Sequence, residues 1–200
     1  MFQLVLLTAP TAFPDEARLL TDLLAQGVER LHLRKPSWPA EQFETLIQAL
    51  PKQFYSRLVL HAYPHLVRQY RLGGLHLTGS QRTAAQRHPA LLPGQTLSTS
   101  YHSLAEISQH RRRYDYVFLS PIFDSISKEG YTSNFNLAEV QAHLRTLAAR
   151  PGYRPQVLAL GGVDAQNIEL VREAGFAGAA VLGTIWQSAD PVAAWRQLAG

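Results

Sequence analysis

The sequence predicts an α/β fold: a single domain in which eight parallel strands and their crossover helices close into a (β/α)8 TIM barrel. Three observations predict it. Short apolar, β-rich runs fall at residues 3–8, 30–34, 57–61, 74–77, 96–100, 115–120, 156–160 and 178–182, eight in all. Between most of them apolar residues recur at every third or fourth position, as in Ala17, Leu20, Leu23 and Leu24, or in Leu137, Val140, Leu144 and Leu147. That repeat gives a helix one buried stripe. Strands that alternate with helices need crossover connections, which make the sheet parallel. Eight such units in 200 residues match a closed barrel at the small end of its range. An open, doubly wound sheet is the competing architecture.

The elements follow one another closely along residues 1–200, with no linker, internal repeat or low-complexity segment. The helix after strand 3–8 ends before Gly27, a residue suited to the left-handed cap position. After strand 30–34, Pro36, Ser37, Trp38 and Pro39 precede the helical Ala40, Glu41, Gln42 and Phe43, since proline is tolerated in a first turn and not beyond it. Arg111, Arg112 and Arg113 precede the sixth strand and read as cations at a solvated helix end, where they complement the C-terminal dipole. The longest stretch without a pattern, 123–136, follows the sixth strand and reads as a lid. Asp164 stands ready to cap the helix beginning at Ala165, and Gly175 to end it.

Composition narrows the class further. Hydrophobic residues at 46%, charged residues at 17%, 13 glycines and 12 prolines are ordinary globular usage, which excludes disorder, collagen and coiled coil. The longest apolar run, 174–186, holds 13 residues where a bilayer span needs about 20, so no membrane partner is expected. No basic region or small-residue cleavage site accompanies Leu4, Val5, Leu6 and Leu7, so no signal peptide is expected either. The absence of cysteine removes disulfides, thiolate zinc sites and cysteine nucleophiles, and points to the cytoplasm. The net charge of +4 suits a phosphorylated ligand. Without a Lys/Arg stripe interleaved with aromatics, nucleic acid is not expected.

Strand side chains alternate between faces. In Leu31, His32, Leu33, Arg34 the leucines face the helices while His32 and Arg34 face the barrel axis. The same parity turns Val59 and His61, His76 and Thr78, Ser100 and His102, and Ser120 inward, with a polar residue at the C-terminal end of each strand. That end carries the active site in barrels of this type. The last two strands run instead into Gly161-Gly162 and Gly183-Thr184, where backbone N–H groups can approach a phosphate closely. Ser125, Ser127 and Lys128 in the sixth loop offer two hydroxyls and a cation to an anion. No P-loop or dinucleotide fingerprint is present, which disfavours nucleotide hydrolysis and hydride transfer.

Five segments together resemble the thiamine phosphate synthase/TenI family of small barrels in thiamine biosynthesis. They are LHLRKP (31–36), GGLHLTGSQ (73–81), STSYHS (98–103), DYVFLSPIFDSISK (115–128) and LALGGVDAQNIELVREAGFAGAAVLGTIW (158–186). The resemblance implies a thiazole phosphate or thiamine phosphate at the mouth, its phosphate held by Gly161, Gly162, Gly183 and Thr184. It also implies that Ser125, Ser127 and Lys128 lie on a loop closing over the substrates; His32, His61, His76, Ser100 and Ser120, turned inward by strand parity, are then expected to contact them.

The departures from the family pattern separate its two branches. The synthase joins a pyrimidine diphosphate to the thiazole phosphate and needs carboxylates for Mg²⁺. An Asn-Asp pair after the third strand reads His61-Ala62 here, and a later Asp is replaced within Thr78-Gly79-Ser80-Gln81; neither Ala nor Gln supplies the anionic oxygen that Mg²⁺ prefers. The family's Gln and Lys near Arg34 are His32 and Pro36, with Lys35 standing in for the cation, and Gly183 replaces a common Ser. The TenI branch isomerises a thiazole carboxylate phosphate by moving a proton, work suited to histidine. The resemblance therefore implies a TenI-like thiazole tautomerase with no metal and no cofactor: His102 moves the proton, and Arg34 with Lys35 attracts the carboxylate. The alternatives are a synthase whose Mg²⁺ ligands have moved to Asp124, Glu129 or Asp164, and a non-catalytic thiamine phosphate binder. A transition-metal site of His32, His61, His76 and His102 and a homodimer are both kept open.

Overall fold

The computed structural model describes residues 2–84, 89–110, 112–124 and 133–200. The chain alternates strand and helix from β1 (Gln3–Leu7) and α1 (Glu16–Ala25) through β2 (Leu31–Leu33), α2 (Ala40–Ala49), β3 (Leu58–Leu60) and α3 (Pro64–Gln69). It continues with β4 (Gly74–Leu77), α4 (Gly79–Ala84), β5 (Thr96–Tyr101), α5 (Leu104–Gln109) and β6 (Tyr116–Leu119). Then follow α6 (Leu137–Ala149), β7 (Gln156–Leu160), α7 (Ile168–Glu173), β8 (Gly178–Val181), α8 (Gly183–Trp186) and α9 (Pro191–Ala199). Each strand pairs in parallel with the next, and β8 returns to β1, so the sheet closes as a (β/α)8 TIM barrel and the open-sheet alternative is excluded.

Alternation along the strands divides two packed regions. Leu6, Leu31, Leu33, Leu58, Leu60, Leu75, Val117 and Ala179 point outward into the layer beneath the helices. Val5, Leu7, Tyr116, Phe118, Leu158 and Ala180 point inward and fill the barrel on one side. His32, His61 and His76 fill it on the other, exposed by 0%, 7% and 2%. Polar rings thus occupy half of a barrel interior that branched aliphatics usually fill, and each must find a hydrogen-bond partner there.

Local signals in the sequence explain most boundaries. Gly27 and Gly175 adopt φ of 92° and 86°, and the bonds Val28 N to Leu23 O and Phe176 N to Val171 O close both helices in the glycine-terminated manner. Asp164 behaves differently from expectation. It accepts from Gln166 N and Asn167 N and so caps a turn ahead of α7, which starts only at Ile168. The expected lid, 123–136, lies largely outside the described residues. At its near and far ends, Ser133 Oγ donates to Pro121 O and Ile122 O, and Asn136 caps α6.

Candidate functional site

A cavity of about 290 Å³ lies at the C-terminal ends of the strands, at the lower end of ligand-sized pockets. His61 and His76 line its floor beside Phe118, Ser100 and Ser120, and Arg34, Thr78 and His102 reach it from strand ends. On the opposite side it is bounded by Gly161, Gly162, Gly183 and Thr184. The polar and glycine sides come from β2–β6 and β7–β8 respectively, the division that strand parity anticipates.

The glycine side has a backbone reason. Gly161 and Gly162 have φ of 100° and 64°, a region costly for other residues. A Cβ on Gly161 would meet Pro121 Cβ at 2.8 Å, and one on Gly162 would meet Asp124 O at 2.3 Å. The turn after β7 is therefore pressed against the segment after β6. Among the described residues, no turn or loop carbonyl accepts from the N–H of Gly161, Gly162, Gly183 or Thr184. The Thr184 hydroxyl is committed, donating to Val163 O.

His102, exposed and beside the cavity, has its Nδ1 2.9 Å from Ser120 O. A carbonyl only accepts, so Nδ1 carries the hydrogen, and in the neutral ring this leaves the lone pair on Nε2. Glu106 reinforces the placement by accepting from His102 N at 2.8 Å. Arg34 is held by its own backbone: its N–H donates to Thr8 Oγ1 at 2.9 Å. Burial pushes the pKa of its guanidinium down, and among the described residues it forms no ion pair with a carboxylate.

Two expected site residues stand elsewhere. Lys35 does not reach the cavity: its side chain is fully buried, its Nζ pairs with Glu16 and donates to Thr11 O at 2.8 Å. It follows Arg34 directly, so alternation sends it to the helix side, where Trp38 and Phe13 flank it at 5.1 and 5.9 Å. His32 does face the axis, but one layer below Arg34. Fully buried, with ring contacts to His61 and His76, it is covered by them and does not line the cavity. The four-histidine metal set also breaks up, because His102 is not part of the cluster formed by His32, His61 and His76. Ser125, Ser127, Lys128 and Glu129 lie outside the described residues.

Parity in β6 also holds a signal that sequence reading passed over. The alternation that turns Ser120 inward turns Phe118 and Tyr116 inward too, and Tyr116 proves to be the deep partner of His32, 2.7 Å from its Nε2. Ser98, likewise on the inner face, bonds His76 Nδ1 at 2.9 Å.

The residues around the cavity do not fit Mg²⁺. No carboxylate lines it among the described residues, and Mg²⁺ is held by carboxylate and phosphate oxygens. Asp124 accepts from Ser133 N on the exposed side of its loop, and Asp164 is engaged in its turn.

Fold and site define a barrel with a small-ligand cavity at its mouth, lined by glycine-bearing turns on one side and by histidine, arginine and serine on the other. The chain belongs to the thiamine monophosphate synthase family, whose model matches residues 4–185. The thiamine-phosphate synthase of Cronobacter sakazakii is 28% identical over 186 residues, 91% of this chain and 84% of the relative. The crystal structure of thiamine phosphate pyrophosphorylase from Bacteroides thetaiotaomicron superposes with a TM-score of 0.82 at 29% identity, covering 99% of this chain and 96% of that one. The corresponding Pyrococcus furiosus protein, at 17% identity and a TM-score of 0.75 over 99% of this chain and 94% of that one, shares the fold.

Proposed function

We propose that this chain is an enzyme of thiamine biosynthesis that holds a phosphorylated thiazole, or thiamine phosphate, in its mouth. The observation carrying this is that Gly161, Gly162, Gly183 and Thr184 line the cavity that also receives Arg34, with backbone N–H groups that no carbonyl among the described residues accepts from. Unpaired amides cost free energy unless a ligand or water accepts from them, and a phosphate accepts from several at once. Arg34, with no carboxylate partner among the described residues, supplies the charge for a second anionic group.

Two reactions occur in the family, and different observations favour them. The names of the relatives support thiamine phosphate synthesis, in which the thiazole nitrogen takes a pyrimidine methylene and pyrophosphate leaves. In that reaction the mouth's role is to hold the thiazole phosphate in place. The carboxylate-free lining favours the second reading, a tautomerase in which His102 Nε2 removes and returns a ring proton while Ser120 O holds its Nδ1–H. Purified protein assayed with both pairs of substrates decides. Thiamine phosphate formed with Mg²⁺ supports the first reading, and interconversion of the thiazole carboxylate phosphate tautomers alone supports the second. Tight thiamine phosphate binding without either turnover would make the barrel a binder. No binding of either phosphate would refute the site.

A further inference from the structure

His32 on β2, His61 just beyond β3 and His76 on β4 each bring a ring nitrogen within 4.8 Å of the others beneath the cavity. Such a set suggests a metal ion, yet the ring geometry opposes one. His61 and His76 are stacked, with centroids 4.2 Å and planes 22° apart. Imidazole lone pairs lie in the ring plane, so two face-to-face rings cannot both aim at one ion. The nitrogens are also engaged. His76 bonds Ser98 Oγ and Ser100 Oγ at 2.9 and 3.1 Å. His32 bonds His61 Nε2 through Nδ1 at 2.9 Å and the Tyr116 hydroxyl through Nε2 at 2.7 Å. Tyr116, His32 and His61 thus form one hydrogen-bonded chain rising from the barrel interior to the cavity floor.

The chain has a direction. The Arg30 guanidinium lies 4.5 Å from the Tyr116 ring centroid and can only donate. Arg30, with Ser98 and Thr96, hydrogen-bonds the phenol through its side chain; a guanidinium that donates there occupies a lone pair of the oxygen and leaves the O–H to donate to His32 Nε2. His32 is neutral, because burial above all, with His76 and Arg30 nearby, pushes its pKa well down. A neutral ring that accepts at Nε2 carries its hydrogen on Nδ1, and this N–H donates to His61 Nε2. His61 is neutral by burial and by the neighbouring His76, His32 and Arg34, so its own hydrogen sits on Nδ1. Among the described residues that Nδ1 has no hydrogen-bond partner, and His61 lines the cavity.

We propose that Tyr116 and His32 lock His61 as the Nδ1–H tautomer, giving the cavity floor a neutral donor that selects a ligand with an acceptor atom remote from its phosphate. An unprotonated ring nitrogen or a carboxylate oxygen is such an acceptor; a protonated ring nitrogen is rejected. Tyr116 and His32 are positioning residues, and His61 is the group that meets the ligand. The proposal rests on the mouth being the substrate site and adds the chemistry of its second anchor. The charged and titratable groups acting on the three rings are Arg30, Arg34, Arg82 and the rings themselves. Tyr116, bonded to His32, is the remaining titratable group, and burial raises its pKa and keeps it a neutral phenol; none of these groups is a carboxylate, so nothing there favours an imidazolium.

Nitrogen-15 NMR of the ligand-free protein, labelled in histidine and assigned with His61→Gln, reads the tautomers directly. The expected result is Nδ1–H on both His32 and His61 from pH 6 to 8, with His61 becoming a tautomer mixture in Tyr116→Phe. His61 as Nε2–H in the wild-type protein, or an unchanged tautomer in folded Tyr116→Phe, overturns the lock; if that variant does not fold, the wild-type spectrum decides alone. A stoichiometric transition metal in protein purified without a tag also overturns it. Tyr116→Phe should weaken thiazole phosphate binding roughly three- to tenfold, the worth of one neutral hydrogen bond, and leave inorganic phosphate binding unchanged. Thiazole phosphate should shift the His61 resonances where inorganic phosphate does not. If no thiazole phosphate binds, the functional reading of the mouth fails and the selection with it, while the tautomer result still judges the lock.

Discussion

Arg34 and Lys35 are sequence neighbours that face different media. One reaches the cavity and the other is buried against Glu16. Removing one partner of a buried ion pair leaves the other charge uncompensated. Lys35→Met is therefore expected to cost about 3 kcal/mol in urea unfolding, with thiazole phosphate affinity unchanged within error; a lost affinity at unchanged stability would return Lys35 to the site. His102 makes the opposite prediction. His102→Gln should lower tautomerase turnover by about 10²–10⁴-fold, the usual worth of a positioned acid/base group, while the Kd for thiazole phosphate stays within a few-fold. Steady-state rates measured beside a binding titration separate the two effects. Period-two alternation made the inward side chains of His61, His76, Ser100 and Ser120 legible in the sequence. Rigorously applied, it would have sent Lys35 outward as well.

At the scale of elements, the turn after β7 and the segment after β6 act as one unit. Gly162 is glycine because its φ of 64° and the 2.3 Å approach of Asp124 O leave no room for a Cβ. Gly162→Ala is expected to destabilise the protein by about 1–3 kcal/mol and to weaken phosphate binding by displacing the amides of this turn. Paired unfolding and phosphate titration check it, and wild-type values in both would show that the turn relaxes freely. The sequence shows that two glycine-bearing turns follow the last two strands. It does not show that the first is wedged against Pro121, since that contact joins separate loops across the sheet. Helix starts were legible only in part: Asp164, the expected cap, bonds one turn too early to begin α7, and Asn136 and Asp190, which the sequence reading did not single out, cap α6 and α9.

For the whole molecule, the consequence of a histidine-filled barrel is acid sensitivity. Burial pushes His32 and His61 well below 6.5 and His76 down to about 3. The unfolded chain therefore binds protons at these rings below pH 6.5 that the folded chain refuses, and stability present above that pH is lost as it falls. Each ring contributes a slope of about 1.4 kcal/mol per pH unit, roughly 4 for the three together. Glu16, whose pKa burial raises, works in the opposite sense near its own range, while His110 and His143, whose pKa burial also lowers, act with the three barrel rings. Urea midpoints at pH 7.5, 6.0 and 5.0 should fall steeply, and a flat profile would show that the rings reach solvent in the folded state. Taken alone, the sequence determined the strand and helix alternation and the parity of inward residues, because these depend on neighbours a few positions apart. Only the tertiary structure decided how deep His32 sits, which partner Lys35 takes and that His32 bonds both Tyr116 and His61. Those outcomes depend on groups as far apart as His32 and Tyr116, 84 positions in sequence, which come within hydrogen-bond reach only when the barrel closes.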